Sequence, residues 1–169
     1  MPSDGATHII LIGPMGVGKT TCGLMLARKT GRPFADSDEW IESRYGDTGA
    51  QIAERDGVPA LHAIELEAFV HMTGADASVI APAESVVDDP VGRALLEDHM
   101  TIWLDADVSE LGRRRARGTH RRSMLPDEVE SRRATRREHL EACADVRIDT
   151  THLDASNVVG RIEELLATR

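Results

Sequence analysis

At 169 residues, with 29 acidic against 20 basic residues and a formal net charge of −9, the chain has the size of one domain and the wrong charge for a general polyanion binder. Aromatic residues make up 3%, too few for the stacking platform of a single-stranded nucleic-acid surface, and the two cysteines, Cys22 and Cys143, fit neither a disulfide framework nor a metal-ligand spacing. No apolar run spans a bilayer and Met1 to Gly5 carries no signal-peptide pattern, so the expectation is a cytoplasmic monomer with no membrane or nucleic-acid partner.

A first strand is predicted from Thr7 to Ile12, followed by Gly13-Pro14-Met15-Gly16-Val17-Gly18-Lys19-Thr20 and a helix to Thr30. Gly13, Gly18, Lys19 and Thr20 spell G-x-x-x-x-G-K-[ST], the Walker A phosphate-binding loop. Glycines let the backbone turn its N–H groups onto phosphate oxygens, and the next helix adds its own unpaired N–H groups. Met15, Gly16, Val17 and Thr21 join these as nucleotide-binding candidates. Lys19 would reach the β- and γ-phosphates, and the Thr20 hydroxyl would be a magnesium ligand.

Gly31 and Pro33 end that helix. Phe34-Ala35-Asp36-Ser37-Asp38 reads as a short strand breaking into two acidic residues, with Ser37 or Asp36 capping a second helix. A short helical piece around Ile52 and a helix from Pro59 to about Met72 follow. Ser78 to Ala81 reads as a buried strand, Pro90 to Asp98 as a helix, and Thr101 to Leu104 as the next strand. A helix capped by Asp107 or Ser109 runs into an arginine cluster. A loop from Gly118 to Pro126, a helix to Cys143, a strand Val146-Arg147-Ile148 and a helix Ala155 to Thr168 complete the chain. Strands alternating with helices predict a single α/β domain, 1–169, with a five-stranded parallel sheet covered on both faces.

Ligands of such a sheet bind beyond the carboxyl ends of its strands. That rim holds the phosphate loop, Asp36, Asp38, the segment Pro82 to Ser85 and the residues after Leu104. The arginines from Arg113 to Arg137 form a local basic patch in an acidic chain, suited to one compact anion; half of them are expected only to solvate helix faces. A carboxylate to accept a hydroxyl proton and arginines to neutralise a migrating phosphoryl group are what phosphoryl transfer needs.

With those residues in place the chain resembles the shikimate kinases over nearly its whole length. The resemblance rests on the phosphate loop, Asp36-x-Asp38-x-x-Ile41-Glu42, the Gly57-to-Glu65 segment, and Arg122 and Arg136 in the expected order. It implies a P-loop fold of the nucleoside-monophosphate-kinase type, strand order 2-3-1-4-5, with a lid at about 117–126 and an acceptor-binding segment at about 37–73. It implies ATP and Mg2+ as cofactors and phosphoryl transfer to a hydroxyl of a small molecule. By position, Lys19, Asp38 and Arg122 would be catalytic, with Arg122 on the lid touching the nucleotide. Thr20 would bind the metal directly and Asp36 through water. Asp38, His62, Glu65, Glu84 and Arg136 would line the acceptor pocket, Arg136 pairing with the acceptor's carboxylate. For the two aspartates, helix capping is the alternative.

Two departures bear on the acceptor. Where the family carries a triple glycine against the substrate ring, this chain has Ala83-Glu84-Ser85, and where the family has a second carboxylate-binding arginine it has His62 after Leu61. Both changes disfavour an anionic acceptor. The expectation is a kinase for a polyol or cyclitol rather than shikimate. A true shikimate kinase and a nucleotide-binding, non-catalytic relative are the alternatives. A further alternative makes Glu84 the acid that orders magnesium through water.

Overall fold

The computed structural model describes residues 7–116 and 126–168. Its order of elements is β1 (Ile9–Ile12), α1 (Lys19–Thr30), β2 (Phe34–Asp36), α2 (Ser37–Tyr45), α3 (Gly49–Asp56), α4 (Val58–Thr73) and β3 (Val79–Ala81). A 3-10 turn (Glu84–Asp88) leads into α5 (Pro90–Leu96) and β4 (Met100–Asp105). Then come α6 (Val108–Ala116), α7 (Pro126–Cys143), β5 (Val146–Asp149) and α8 (Ala155–Ala167). The five strands form one parallel sheet in the order β2-β3-β1-β4-β5, as the resemblance implies.

The inner strands β1 and β3 are apolar on both faces, as strands covered by helices on both sides need to be. Ile9 and Leu11 of β1, with Ile102 and Leu104 of β4, pack with Cys22, Leu26, Val158 and Ile162 of α1 and α8. The alternate residues Ile10, Ile12 and Trp103 pack on the other face with Ile41, Ile52, Phe69 and Leu140 of α2, α3, α4 and α7. Cys22 is a core residue, and burial pushes its thiol up to about 11. Thr48 and Gln51 close a capping box that starts α3, while Gly46 and Gly57, both with positive φ, end α2 and α3. The acceptor-binding segment expected at 37–73 is thus three short helices on one face. The lid expected at 117–126 falls almost entirely outside the described residues, and Arg122 with it.

Candidate active site

The phosphate loop turns between β1 and α1 on glycines with positive φ. Gly13 has φ +143°, and a Cβ there would lie 2.1 Å from the Leu104 carbonyl oxygen, so no side chain fits beside β4. Lys19 Nζ donates to the carbonyls of Gly13 at 2.7 Å and Pro14 at 3.3 Å, folding the ammonium back over the loop. Two arginines of α6 brace the loop from behind. Arg115 donates from Nε and Nη2 to the Met15 carbonyl at 2.9 and 2.8 Å. Arg114 donates to the Val17 carbonyl at 3.0 Å and to Thr150 after β5. The sequence placed these two only in a basic patch; nothing in their spacing says that they face the loop. Arg113 and Arg137 behave as solvated helix cations, paired at i−3 with Glu110 and at i+4 with Glu141.

Asp36 ends β2 and caps α2, accepting on Oδ1 from the N–H groups of Asp38 at 2.9 Å and Glu39 at 3.4 Å. Its Oδ2 accepts from Thr20 Oγ1 at 2.7 Å. Capping and a metal role are therefore compatible, because one oxygen serves each. Thr20 and Asp36 offer hard oxygen donors side by side at the first turn of α1. Magnesium takes one or two protein oxygens and completes its shell with phosphate and water, and this pair fits that demand. Among the described residues no group of three His, Cys, Asp or Glu could hold a metal without such help.

Asp38 stands exposed in the first turn of α2, and its charge acts on Glu65 of α4. Glu65 accepts a hydrogen bond from Ser85 Oγ. Burial is the main cause that raises its carboxyl to about 7; Ser85 opposes it, while Asp38 and Glu84 add to it. His62 lies half-buried on α4, three residues before Glu65 and hence on a neighbouring part of the same helix face.

Glu84 and Arg136 meet in an arrangement that their sequence positions do not reveal. Arg136 Nη1 donates to Glu84 Oε1 at 2.6 Å, while its Nε and Nη2 grip Asp88 at 2.5 to 2.9 Å. Glu84 Oε2 accepts from the Met15 N–H at 2.8 Å. The arginine expected to face an acceptor carboxylate is thus already matched by two carboxylates of its own chain. Glu84 thus pairs with Arg136 and with the loop rather than standing alone. Its oxygens meet the loop and Arg136, which gives no support to the magnesium-ordering alternative. Asp88 was not singled out in the sequence, since an acid closing a 3-10 turn has no distinguishing pattern.

The chain is similar to known proteins over nearly its whole length. A family model described as shikimate kinase matches residues 15–167. This chain belongs to the shikimate kinase family. It is 37% identical to a shikimate kinase of Symbiobacterium thermophilum, across 96% of this chain and 97% of that one. It is 34% identical to that of Geobacter sulfurreducens, across 96% and 91%. Among solved structures it superposes on the shikimate kinase of Acinetobacter baumannii in complex with shikimate, with a TM-score of 0.87 and 26% identity over 96% of this chain and 93% of that one. As a family member it is an ATP-binding phosphotransferase with an alcohol acceptor. Among the described residues no helix is long and apolar enough to cross a membrane.

Proposed function

We propose that the protein transfers the γ-phosphoryl group of ATP to a hydroxyl of shikimate. The observation that carries this reading is the Thr20–Asp36–Asp38 grouping beside the phosphate loop, in a chain 37% identical over nearly its whole length to a shikimate kinase. The relatives thereby favour shikimate over the polyol or cyclitol that the sequence departures favour.

Each residue then has a task. Lys19 and the loop N–H groups hold the phosphates in line with the acceptor. Asp38 accepts the hydroxyl proton as the acceptor oxygen bonds to phosphorus and ADP leaves. Thr20 and, through water, Asp36 would hold magnesium, which when bound offsets the phosphate charge. Arg122, outside the described residues, is assigned to the lid and the transferring group by family position.

A second reading is favoured by one observation, the commitment of Arg136 to Glu84 and Asp88. On that reading the acceptor is a neutral or amino-bearing polyol, which needs no unmatched arginine. An ADP-release assay across shikimate, quinate, gluconate, inositols and aminocyclitols decides. Turnover with shikimate at sub-millimolar concentration supports the first reading, and turnover only with uncharged or amino polyols supports the second. ATP binding with no ADP formed on any acceptor means a non-catalytic relative.

A further inference from the structure

The Pro14–Met15 peptide is held by its carbonyl, which accepts from Val17 N at 3.2 Å and Lys19 Nζ at 3.3 Å. In a planar trans peptide the N–H points the opposite way. Here that N–H donates to Glu84 Oε2 at 2.8 Å. The next peptide is pinned as well, because the Met15 carbonyl accepts from Nε and Nη2 of Arg115. The Met15 N–H, set by these two neighbouring contacts, is held by Glu84.

On the proposed function this N–H faces the side where the acceptor binds, since its partner Glu84 stands there. The carboxylate that takes it also takes Arg136 at 2.6 Å, and its charge reaches Glu65, which in turn binds Ser85. A phosphoryl group about to be transferred has to lie between the loop and the acceptor, so the terminal phosphate is the part of the nucleotide nearest this N–H. Backbone N–H groups of such loops bind phosphate oxygens, and a carboxylate is the side chain nearest to phosphate in charge and acceptor geometry.

We propose that Glu84 competes with the terminal phosphate of the nucleotide for the Met15 N–H, so that seating a triphosphate displaces this carboxylate and loosens one of the two grips on Arg136. The proposal rests on the loop being an ATP site. It makes Glu84 a determinant of triphosphate against diphosphate affinity. By linkage, whatever engages Arg136 in place of Glu84 binds better when the triphosphate is present.

The test is calorimetric binding of ADP and of a non-hydrolysable β,γ-imido ATP analogue to wild type, Glu84→Gln, Glu84→Ala and Asp88→Asn. Both Glu84 variants are expected to bind the analogue roughly tenfold more tightly, with ADP changed by less than about twofold. Asp88→Asn removes a carboxylate from Arg136 without touching the loop, and is expected to leave the analogue-to-ADP ratio within about twofold of wild type. Equal gains for both nucleotides, the same gain in Asp88→Asn, or weaker analogue binding in both Glu84 variants would overturn the proposal. Glu84→Gln keeps the size and the acceptor oxygen, so it separates charge from a bracing role. Failure of wild type to bind either nucleotide would instead overturn the ATP reading.

Discussion

The Thr20 hydroxyl donates to Asp36 Oδ2 at 2.7 Å, joining the helix that leaves the phosphate loop to the end of β2, a strand separated from β1 by β3. Asp36 also caps α2, so its substitutions separate two roles. Asparagine caps as well as aspartate, and alanine does not. Asp36→Asn is expected to keep the melting temperature near wild type while the magnesium needed for half-maximal turnover rises at least about tenfold. Asp36→Ala is expected to lose about 1 kcal/mol of stability as well. An unchanged magnesium requirement in both variants would leave Asp36 as a cap alone.

Asp38 stands in the first turn of the helix that Asp36 caps, close enough to influence Glu65 and exposed enough to meet an acceptor. Asp38→Asn is expected to lower turnover by at least about 100-fold, the usual worth of a positioned base. ATP binding should persist. Turnover retained at the wild-type level would remove Asp38 from its role.

Glu65 links stability to pH. Its carboxyl is raised from 4.5 to about 7, chiefly by burial. The folded protein therefore keeps a proton that the unfolded chain releases between those values. The associated stability is present in full below pH 4.5 and is lost as pH rises through about 7. Wild type is expected to lose unfolding free energy relative to Glu65→Gln between pH 5 and pH 8, by an amount on the order of 1–3 kcal/mol. Paired melts across that range check it, and a constant difference would contradict it.

Arg136 answers to two carboxylates, and one of them, Glu84, stands where the resemblance implies a glycine. The double variant His62→Arg with Glu84→Gly removes one carboxylate from Arg136 and adds a second arginine to the pocket. Shikimate affinity is expected to rise by roughly tenfold or more, because two guanidinium groups can then address one carboxylate. No gain would mean that neither position governs the acceptor's charge.

The parallel sheet, its helices and the phosphate loop were legible in the chain because each rests on local pattern. Ile9 to Ile12 is apolar throughout, Gly31 ends α1 in a left-handed turn, and Gly13 to Thr20 carries its chemistry in its spacing. The double use of Asp36 was half legible: its capping place could be read, while its bond to Thr20 needed the pairing of β2 with β3 and β3 with β1. Arg114 and Arg115 differ from Arg113 by one or two positions, yet only they reach the loop, because helix periodicity points each to a different side.

The sequence by itself determined that this is a phosphate-binding α/β domain of the shikimate kinase type, since strand periodicity, glycine turns and a contiguous loop motif are short-range properties. What only the tertiary structure decided is which charged side chains meet beside the phosphate loop. Glu84, Asp88 and Arg136 come from a turn and a helix some fifty residues apart, and their pairing exists only once α7 packs against the turn after β3. A charged side chain's effect depends on its nearest partner in space, and for residues so far apart in the chain only the fold supplies that partner.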